Sequence, residues 1–292
     1  MSFFSFAPVI PTYVTDEAVQ QFLVTALNED LGRGPAAGDH STLSVIPEDL
    51  QECAQAIAKA SGVVAGMEMA SKILAQLAPE AKLQVLKADG SEMAPGDVLL
   101  KIEGKARDIL SCERLVLNCM QRMSGIATLA RQAVQQVEGL NVQILDTRKT
   151  TPGFRLAEKW AVAIGGGTNH RFGLFDMIML KDNHVDYAGG VAKAINMARA
   201  YLQNSGLQLK IEIETRSLQE VEEVLQTGGV DVIMLDNMTV PTMKQAVDMV
   251  AGRYKTEASG GIALGKLREV ASTGVDYISL GALTHSATSL DI

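Results

Sequence analysis

Six short apolar runs in the second half of the chain each end in a polar residue or a glycine. Stretches of helical character separate them, and the runs occupy residues 142–145, 177–180, 211–213, 232–235, 254–258 and 277–280. Apolar runs of this length that alternate with helices are typical of buried parallel strands. In a (β/α) barrel the carboxyl ends of the strands converge on one face, which holds the active site. The sequence therefore predicts a barrel and also the side chains at its mouth.

The first part of the chain has a different organisation. An amphipathic pattern predicts a helix over residues 16–30, and a longer loop containing glycine and proline covers residues 31–42. Short strand candidates lie on both sides of a predicted helix over 67–77. The clearest of them, 81–86 and 97–102, follow the helix. These elements predict an N-terminal α/β sandwich.

A long apolar helical region over residues 106–137 connects the two parts, and we expect Gly125 to break it. With 292 residues and 47% hydrophobic residues, the chain is large enough for one large domain or two modest ones. The expected division is an N-terminal α/β sandwich domain over 1–113, a (β/α) barrel catalytic domain over 114–284 and a C-terminal tail over 285–292.

Charge, cysteine content and hydropathy exclude several classes of protein. The net charge of −8 argues against nucleic acid as a partner. Three cysteines without a C-x-x-C pair indicate neither a disulfide framework nor a zinc site, and Cys112 and Cys119 are expected in the core. No apolar run reaches 18 residues, so no membrane span is expected, and residues 1–14 lack the basic start of a signal peptide. The expected location is the cytoplasm.

Five cations lie at strand ends or in the loops that follow them. They are Arg148, Lys149, His170, Arg171 and Lys181. Arginine binds carboxylate or phosphate through two parallel hydrogen bonds, whereas lysine acts as a point charge. The simpler alternative is surface charge paired with nearby acidic residues. That alternative is weaker for Lys181, because it directly follows a buried strand. Lys181 also permits a Schiff base with a carbonyl substrate, as in barrel aldolases.

Two carboxylates and two glycine-containing turns complete the predicted site. Glu214 and Asp236 end separate strands, where they suit Mg²⁺ binding, acid–base catalysis or neutralisation of nearby lysines. We expect only one of Glu212 and Glu214 to face the barrel mouth. The turns after the last two strands are the usual phosphate site of barrels. They contain Ser259, Gly260, Gly261, Leu280, Gly281 and Ala282.

Several motifs together resemble the quinolinate phosphoribosyltransferase family, also called carboxylating nicotinate-nucleotide pyrophosphorylase. The resemblance covers nearly the whole chain, and the first two motifs are the most specific in combination. The motifs are DTRKTTPG at 146–153, GGGTNHR at 165–171, KDNH at 181–184, LDN at 235–237, EASGGI at 257–262 and GALTHS at 281–286, with CERLVLN at 112–118 and RMSGIAT at 122–128.

The resemblance implies an activity and an architecture. The family joins quinolinate to phosphoribosyl pyrophosphate with Mg²⁺ and releases nicotinate mononucleotide, pyrophosphate and CO₂ in de novo NAD synthesis. Its fold is an N-terminal α/β sandwich domain followed by an open (β/α) barrel. Its members are homodimers in which the sandwich of one subunit closes the barrel of the other, so Arg114 would enter the partner's site.

The resemblance also implies roles for individual residues. Lys149, Lys181, Glu214 and Asp236 would be catalytic, and Glu214 and Asp236 would hold Mg²⁺ directly, through water or through substrate. The remaining substrate-binding positions would be Arg114, Thr147, Arg148, His170, Arg171, Ser259, Gly260, Gly261, Leu280, Gly281 and Ala282.

Three other functions are compatible with the same residues. One is a related transferase of the same fold, either associated with molybdate transport or using nicotinate. Another is a catalytically silent binding homologue, and the third is the Schiff-base aldolase. The presence of Arg114, Arg148 and Arg171 favours a substrate with two carboxylates, and retention of Glu214 and Asp236 argues against a silent homologue.

Overall fold

The computed structural model describes residues 10–292, so most of the segment 1–14, predicted not to be a signal peptide, lies outside the described residues. The described part of the first half contains four helices and five strands. They are α1 (Asp16–Leu31), α2 (His40–Val45), β1 (Gln51–Ile57), β2 (Gly62–Val63), α3 (Met67–Leu77), β3 (Lys82–Val85), β4 (Glu92–Met93), β5 (Val98–Lys105) and α4 (Ala106–Gln136). The predicted helices and strands of this half are confirmed, although the predicted loop over 31–42 ends where α2 begins.

The second half alternates strands with helices, as the apolar runs predicted. Its elements are β6 (Gln143–Leu145), α5 (Arg155–Ile164), β7 (Ile178–Leu180), α6 (Asp182–Ala188), α7 (Val191–Ser205), β8 (Ile211–Thr215), α8 (Leu218–Thr227), β9 (Val232–Asp236), α9 (Val240–Val250), β10 (Lys255–Ser259), α10 (Leu267–Ala271), β11 (Tyr277–Ser279) and α11 (Ala282–His285). A short 3₁₀ helix, Leu264–Lys266, precedes α10. None of the described helices is long and apolar enough to cross a membrane.

The chain forms two compact units that do not follow simple chain order. The first contains the described residues up to Arg131, together with Lys149–Gly167 and Ala282–Ile292. The second contains Gln132–Arg148 and Thr168–Gly281. Because these units are defined by contacts, the expected domain bounds at 113 and 284 stay predictions.

The first unit has two small antiparallel sheets and the helix α3. One sheet has the order β1-β5-β3, and the other pairs β2 with β4. Helix α3 buries Met69, Ala70, Ile73 and Leu74, which recur at the three- and four-residue spacing of a single helix face. This arrangement confirms the predicted N-terminal α/β domain.

The second unit contains a six-stranded parallel sheet of order β6-β11-β10-β9-β8-β7. Its four central strands are the most buried, with Ile213, Ile233, Ala258 and Ile278 all inaccessible to solvent, whereas the edge strand β7 is half-buried. Among the described residues the edge strands β6 and β7 do not pair with each other, so the barrel is open, as expected. All six strands point the same way, so their carboxyl ends lie along one edge.

The prediction that Gly125 breaks the long helix was wrong. Helix α4 runs without interruption for 31 residues, from Ala106 to Gln136. A methyl group at Gly125 would overlap the carbonyl oxygen of Thr288, so glycine is needed here because the C-terminal segment crosses the helix closely. The same segment is held by Gln121, whose carbonyl accepts from the amide of Leu290 and whose side chain donates to the carbonyl of Ile292, both at 3.0 Å.

Replacing Gly125 by alanine should therefore lower the free energy of unfolding by about 1–3 kcal/mol, the usual cost of forcing extra volume into a packed site. Chemical denaturation measures this change. Gly265→Ala is a suitable control, because no atom lies within 4 Å of a Cβ built at Gly265. Equal stability of the two variants would contradict the close crossing.

Candidate active site

The carboxyl edge of the parallel sheet collects most of the predicted site residues. Thr147 and Arg148 follow β6, Lys181 follows β7, and Leu280 and Gly281 follow β11. Three further predicted residues lie at the carboxyl ends of their strands. Glu214 is the second-last residue of β8, and Asp236 and Ser259 are the last residues of β9 and β10. Lys149, Ala282 and Arg114 belong to the first unit.

Asp146 anchors the segment that carries the predicted cations. Its carboxylate is inaccessible to solvent and accepts the amide N–H of His170 at 2.8 Å and the side-chain amide of Asn169 at 2.6 Å. The backbone N–H of Asp146 donates to the carbonyl of Thr168 at 3.2 Å. Because a buried carboxylate must be satisfied, these bonds fix residues 168–170 beside the end of β6. Sequence reasoning included Asp146 in a motif but gave it no role.

Two buried glutamates contact the same nitrogen of His170. Its Nε2 atom is 3.1 Å from Oε2 of Glu212, on β8, and 3.4 Å from Oε2 of Glu257, on β10. The histidine side chain is 7% exposed and each glutamate side chain is 1% exposed. On its other side, the His170 Nδ1 atom accepts the backbone N–H of Arg171 at 2.7 Å. Protein groups thus contact both ring nitrogens of His170, whose predicted place in the site stays a prediction.

Sequence reasoning missed the two glutamates of this cluster. The expectation that only one of Glu212 and Glu214 faces the barrel mouth was wrong, because side chains two residues apart on a strand point to the same face. The charges of Glu212 and Glu214 each act to raise the pKa of Arg171, so both carboxylates lie near that guanidinium. The alternation along β8 was the signal that could have identified Glu212.

The cluster binds protons more tightly than its separate groups would. Burial lowers the pKa of His170, whereas the hydrogen bonds to Glu212 and Glu257 and their charges raise it, and the net effect is a raised pKa that the three coupled groups share. Burial and the charge of Glu257 raise the pKa of Glu212 to about 7. Since Nδ1 accepts a hydrogen bond, the ring proton lies on Nε2, and any further proton is held by the carboxylate pair.

The same three groups have a spacing that a metal ion could use, since their ligand atoms lie within 4.8 Å of one another. A histidine that binds a metal through Nε2 carries its hydrogen on Nδ1. In this structure Nδ1 accepts the N–H of Arg171, so the hydrogen lies on Nε2 and points toward the carboxylates. The geometry therefore fits a proton between these groups better than a metal.

Arg148 and Arg171 are two half-buried guanidiniums close enough to repel each other. Burial and the charge of Arg148 lower the pKa of Arg171 from its ordinary value. One Arg171 nitrogen donates to the carbonyl of Met177 at 3.1 Å, which restricts the side chain. Like charges that are held together in a partly buried place favour a multiply charged anion between them.

Lys181 and Glu214 form an ion pair across neighbouring strand ends, with Nζ and Oε1 2.9 Å apart. The lysine side chain is 48% exposed, whereas Glu214 is 11% exposed. The backbone N–H of Lys181 also donates to Nδ1 of His184 at 2.9 Å, which caps helix α6. The ion pair holds the Lys181 amine against a carboxylate, which opposes the Schiff-base alternative.

The predicted phosphate turn after β10 is tightly packed against the end of β9. Gly260 and Gly261 have φ of 91° and 60°, values that favour glycine. A methyl group at Gly260 would overlap the side chain of Asn237, and Asn237 itself adopts a φ of 54°. The Asn237 side chain donates to Asp236 at 2.8 Å, and its backbone N–H donates to the carbonyl of Ser259 at 3.0 Å. Packing against Asn237 and the positive φ therefore require glycine at 260.

In the first unit, Lys149 is exposed, and its carbonyl accepts the hydroxyl of Thr284 at 2.8 Å. Arg114 lies on α4 with an exposed side chain, and no acidic group among residues 10–292 pairs with it. The sequence showed the residue types at 149 and 114 but neither their exposure nor their contacts.

A fully buried glutamate, Glu158, fixes the turn that follows Lys149. It accepts the backbone N–H and the hydroxyl of Thr151 at 3.0 and 2.9 Å, and it pairs with Arg122 at 2.8 Å. Arg122 also donates to the carbonyls of Thr284 and Ala287. One ion pair therefore connects α4, α5, the turn and the C-terminal segment within this unit.

An open parallel barrel whose carboxyl edge carries paired cations, carboxylates and a glycine turn defines an enzyme class that acts on anionic substrates. Two family models match the chain: the C-terminal domain of quinolinate phosphoribosyl transferase over residues 126–292 and the N-terminal domain over residues 39–124. The chain belongs to the quinolinate phosphoribosyl transferase family. The predicted family, enzyme class and fold are therefore confirmed.

Individual relatives agree with this assignment. Quinolinate phosphoribosyltransferase [decarboxylating] 1b of Nicotiana tabacum is 45% identical, over 98% of this chain and 83% of its own length. The nicotinate-nucleotide pyrophosphorylase [carboxylating], chloroplastic, of Arabidopsis thaliana is 42% identical over the same shares. Among solved structures, NadC from Streptococcus pyogenes has a TM-score of 0.88 and 40% identity, with 96% of each chain covered.

Proposed function

We propose that this chain transfers the phosphoribosyl group of phosphoribosyl pyrophosphate to quinolinate, with decarboxylation to nicotinate mononucleotide, in de novo NAD synthesis. The observation that carries the proposal is the half-buried pair of guanidiniums, Arg148 and Arg171, at the carboxyl edge of the sheet. Two adjacent carboxylates on a planar ring match two arginines, each of which binds a carboxylate through parallel hydrogen bonds. Family membership supports the same substrate.

The reaction has two steps that this site can assist. The anomeric carbon–oxygen bond of phosphoribosyl pyrophosphate breaks, pyrophosphate leaves with the electron pair, and the quinolinate nitrogen bonds to that carbon. The positive charge that develops on the sugar is stabilised by nearby carboxylates such as Glu214 and Asp236. The 2-carboxylate then leaves as CO₂, and the electron pair left on the ring carbon takes up a proton. A cation beside the ring nitrogen lowers the energy of that carbanion.

The other predicted residues have parts in substrate binding. Lys149 and Lys181 act as point charges for the phosphates and carboxylates, and His170 and Thr147 complete the quinolinate pocket. The two turns at the ends of β10 and β11 offer backbone N–H groups to the 5′-phosphate. These turns contain Ser259, Gly260, Gly261, Leu280, Gly281 and Ala282.

Mg²⁺ is the metal that fits the carboxylates at the ends of β8 and β9. Glu214 and Asp236 supply the hard oxygen donors that Mg²⁺ prefers. Glu214 already neutralises Lys181 at 2.9 Å, so metal held together with substrate phosphate would compete with this pair. When bound, the metal would neutralise charge on the leaving pyrophosphate.

The proposal is tested by incubating the purified protein with Mg²⁺, phosphoribosyl pyrophosphate and quinolinate labelled at its 2-carboxyl group. Labelled CO₂ and nicotinate mononucleotide should appear in equal amounts, and EDTA should abolish both. Mononucleotide from nicotinate but not from quinolinate would change the substrate and keep the fold. Absence of product from both would favour the binding homologue or the molybdate-associated relative.

The active assembly is proposed to be a homodimer in which Arg114 enters the partner's site. Its support is an exposed guanidinium on a well-packed helix without an acidic partner among the described residues. The three free cysteines, two of them buried, suit the reducing cytoplasm proposed as its location.

Complementation between inactive subunits tests the shared site. Arg114→Ala and Lys181→Ala chains should each be inactive, and a mixture should recover activity because a heterodimer contains one site with both residues intact. For random exchange of equal amounts, about a quarter of the wild-type activity is expected, because about half of the dimers are heterodimers and each heterodimer has one intact site of its two. Absence of recovery after subunit exchange, confirmed by native mass spectrometry, would indicate sites built within one chain.

A further inference from the structure

We propose that Glu212 and Glu257 are positioning residues that act through His170 to aim Arg171 at its substrate. The inference deepens the proposed function and depends on it, because it assigns a role in holding the carboxylate-binding arginine. Neither glutamate need touch substrate. Both would keep the imidazole in the one orientation in which it receives the backbone N–H of Arg171.

The argument starts from the cost of the two buried glutamates. A carboxylate without water is destabilising unless it is paired and hydrogen-bonded. Both side chains are 1% exposed, and Oε1 of each is buried without a hydrogen-bond partner among the described residues. Their remaining oxygens, Oε2 in both cases, face Nε2 of His170 at 3.1 and 3.4 Å. Each carboxylate thus has one oxygen left without a hydrogen bond and one oxygen at His170. Two strands therefore hold one imidazole at the cost of two incompletely bonded carboxylates.

The second step concerns the ring itself. With Nε2 donating to the glutamates and Nδ1 accepting from Arg171, the ring has one tautomer and one orientation. A flip of the ring would place carbon atoms where both nitrogens make these contacts. The backbone of His170 is also fixed, because its N–H donates to Asp146 at 2.8 Å. The main chain at Arg171 is thus held at its amide by the side chain of its neighbour.

The third step links the ring to the guanidinium. Arg171 is anchored at its backbone by His170 and at one guanidinium nitrogen by the carbonyl of Met177 at 3.1 Å. Its charge experiences Arg148, Glu212, Asp176 and Glu214. Because a guanidinium binds a carboxylate in a fixed planar geometry, a small rotation of the backbone would misalign both hydrogen bonds. Loss of the glutamate contacts should therefore weaken quinolinate binding more than phosphoribosyl pyrophosphate binding.

The test compares Glu257→Leu with the conservative Glu257→Gln, whose amide oxygen still accepts from Nε2. Glu257→Leu should raise the KM for quinolinate about 10-fold, as expected for loss of one well-placed hydrogen bond to an ionised group, with the KM for phosphoribosyl pyrophosphate unchanged. Glu257→Gln should restore most of the quinolinate affinity. Glu269→Leu, at an exposed site on α10, is the control for adding a leucine.

The wild-type protein supplies a readout that does not depend on folding of a variant. Nitrogen-15 spectra of His170 should show hydrogen on Nε2 and an acceptor at Nδ1, and the opposite tautomer would overturn the inference. Equal quinolinate KM in wild type and Glu257→Leu would also overturn it. Wild-type protein that fails to bind quinolinate at all would refute the proposed function instead.

Discussion

Replacing Arg171 by alanine should weaken the binding of quinolinate by about 2–4 kcal/mol, or roughly 30- to 1000-fold in dissociation constant. Arg171 is half-buried beside Arg148, and one of its nitrogens is fixed by the carbonyl of Met177. Removing it takes away a charge-assisted pair of hydrogen bonds and leaves one substrate carboxylate without a partner. Isothermal titration calorimetry with quinolinate measures the loss directly.

Arg253→Ala is the matched control for this prediction. Arg253 lies just before β10, at the opposite end of the strand from the proposed site, and is exposed. Within residues 10–292 its side chain donates only to carbonyls at the end of α9, so its removal should leave quinolinate affinity unchanged. If Arg171→Ala bound quinolinate as tightly as Arg253→Ala does, the assignment of Arg171 to a substrate carboxylate would be wrong.

Replacing Glu158 by alanine should lower the free energy of unfolding by about 3–5 kcal/mol, the usual effect of removing one partner of a buried ion pair. Glu158 is inaccessible to solvent, and its loss leaves Arg122 and the amide of Thr151 without their carboxylate. The loss should also reduce turnover, because the same carboxylate fixes the turn two residues after Lys149. Urea denaturation and steady-state kinetics measure the two effects.

An exposed glutamate provides the comparison for Glu158. Glu29 lies on α1, is exposed, and should change stability by less than about 0.5 kcal/mol when replaced by alanine. A Glu158→Ala protein as stable as Glu29→Ala would show that the Arg122–Glu158 pair contributes little. A stable but inactive Glu158→Ala protein would show that the pair acts on the turn more than on the fold.

The strands and the residues at their carboxyl ends could be predicted because both follow from local patterns. Each apolar run became a strand of the parallel sheet, and the residue that ends it lies at the carboxyl edge. Helix α3 begins and ends at the predicted residues, Met67 and Leu77. Gly125 was misinterpreted because its reason for being glycine lies at Thr288, far along the chain. Sequence alone cannot distinguish a helix break from a close crossing.

The sequence by itself determined the fold class, the family and the residue types available at the carboxyl edge, since strand period, turn residues and motif spacing are local properties. The tertiary structure decided which of those residues contact one another. It placed Glu212 and Glu257 together at Nε2 of His170, although they come from strands that are not neighbours in the sheet. It also paired Lys181 with Glu214. Contacts between strands depend on sheet order and side-chain direction, which no single segment of sequence contains.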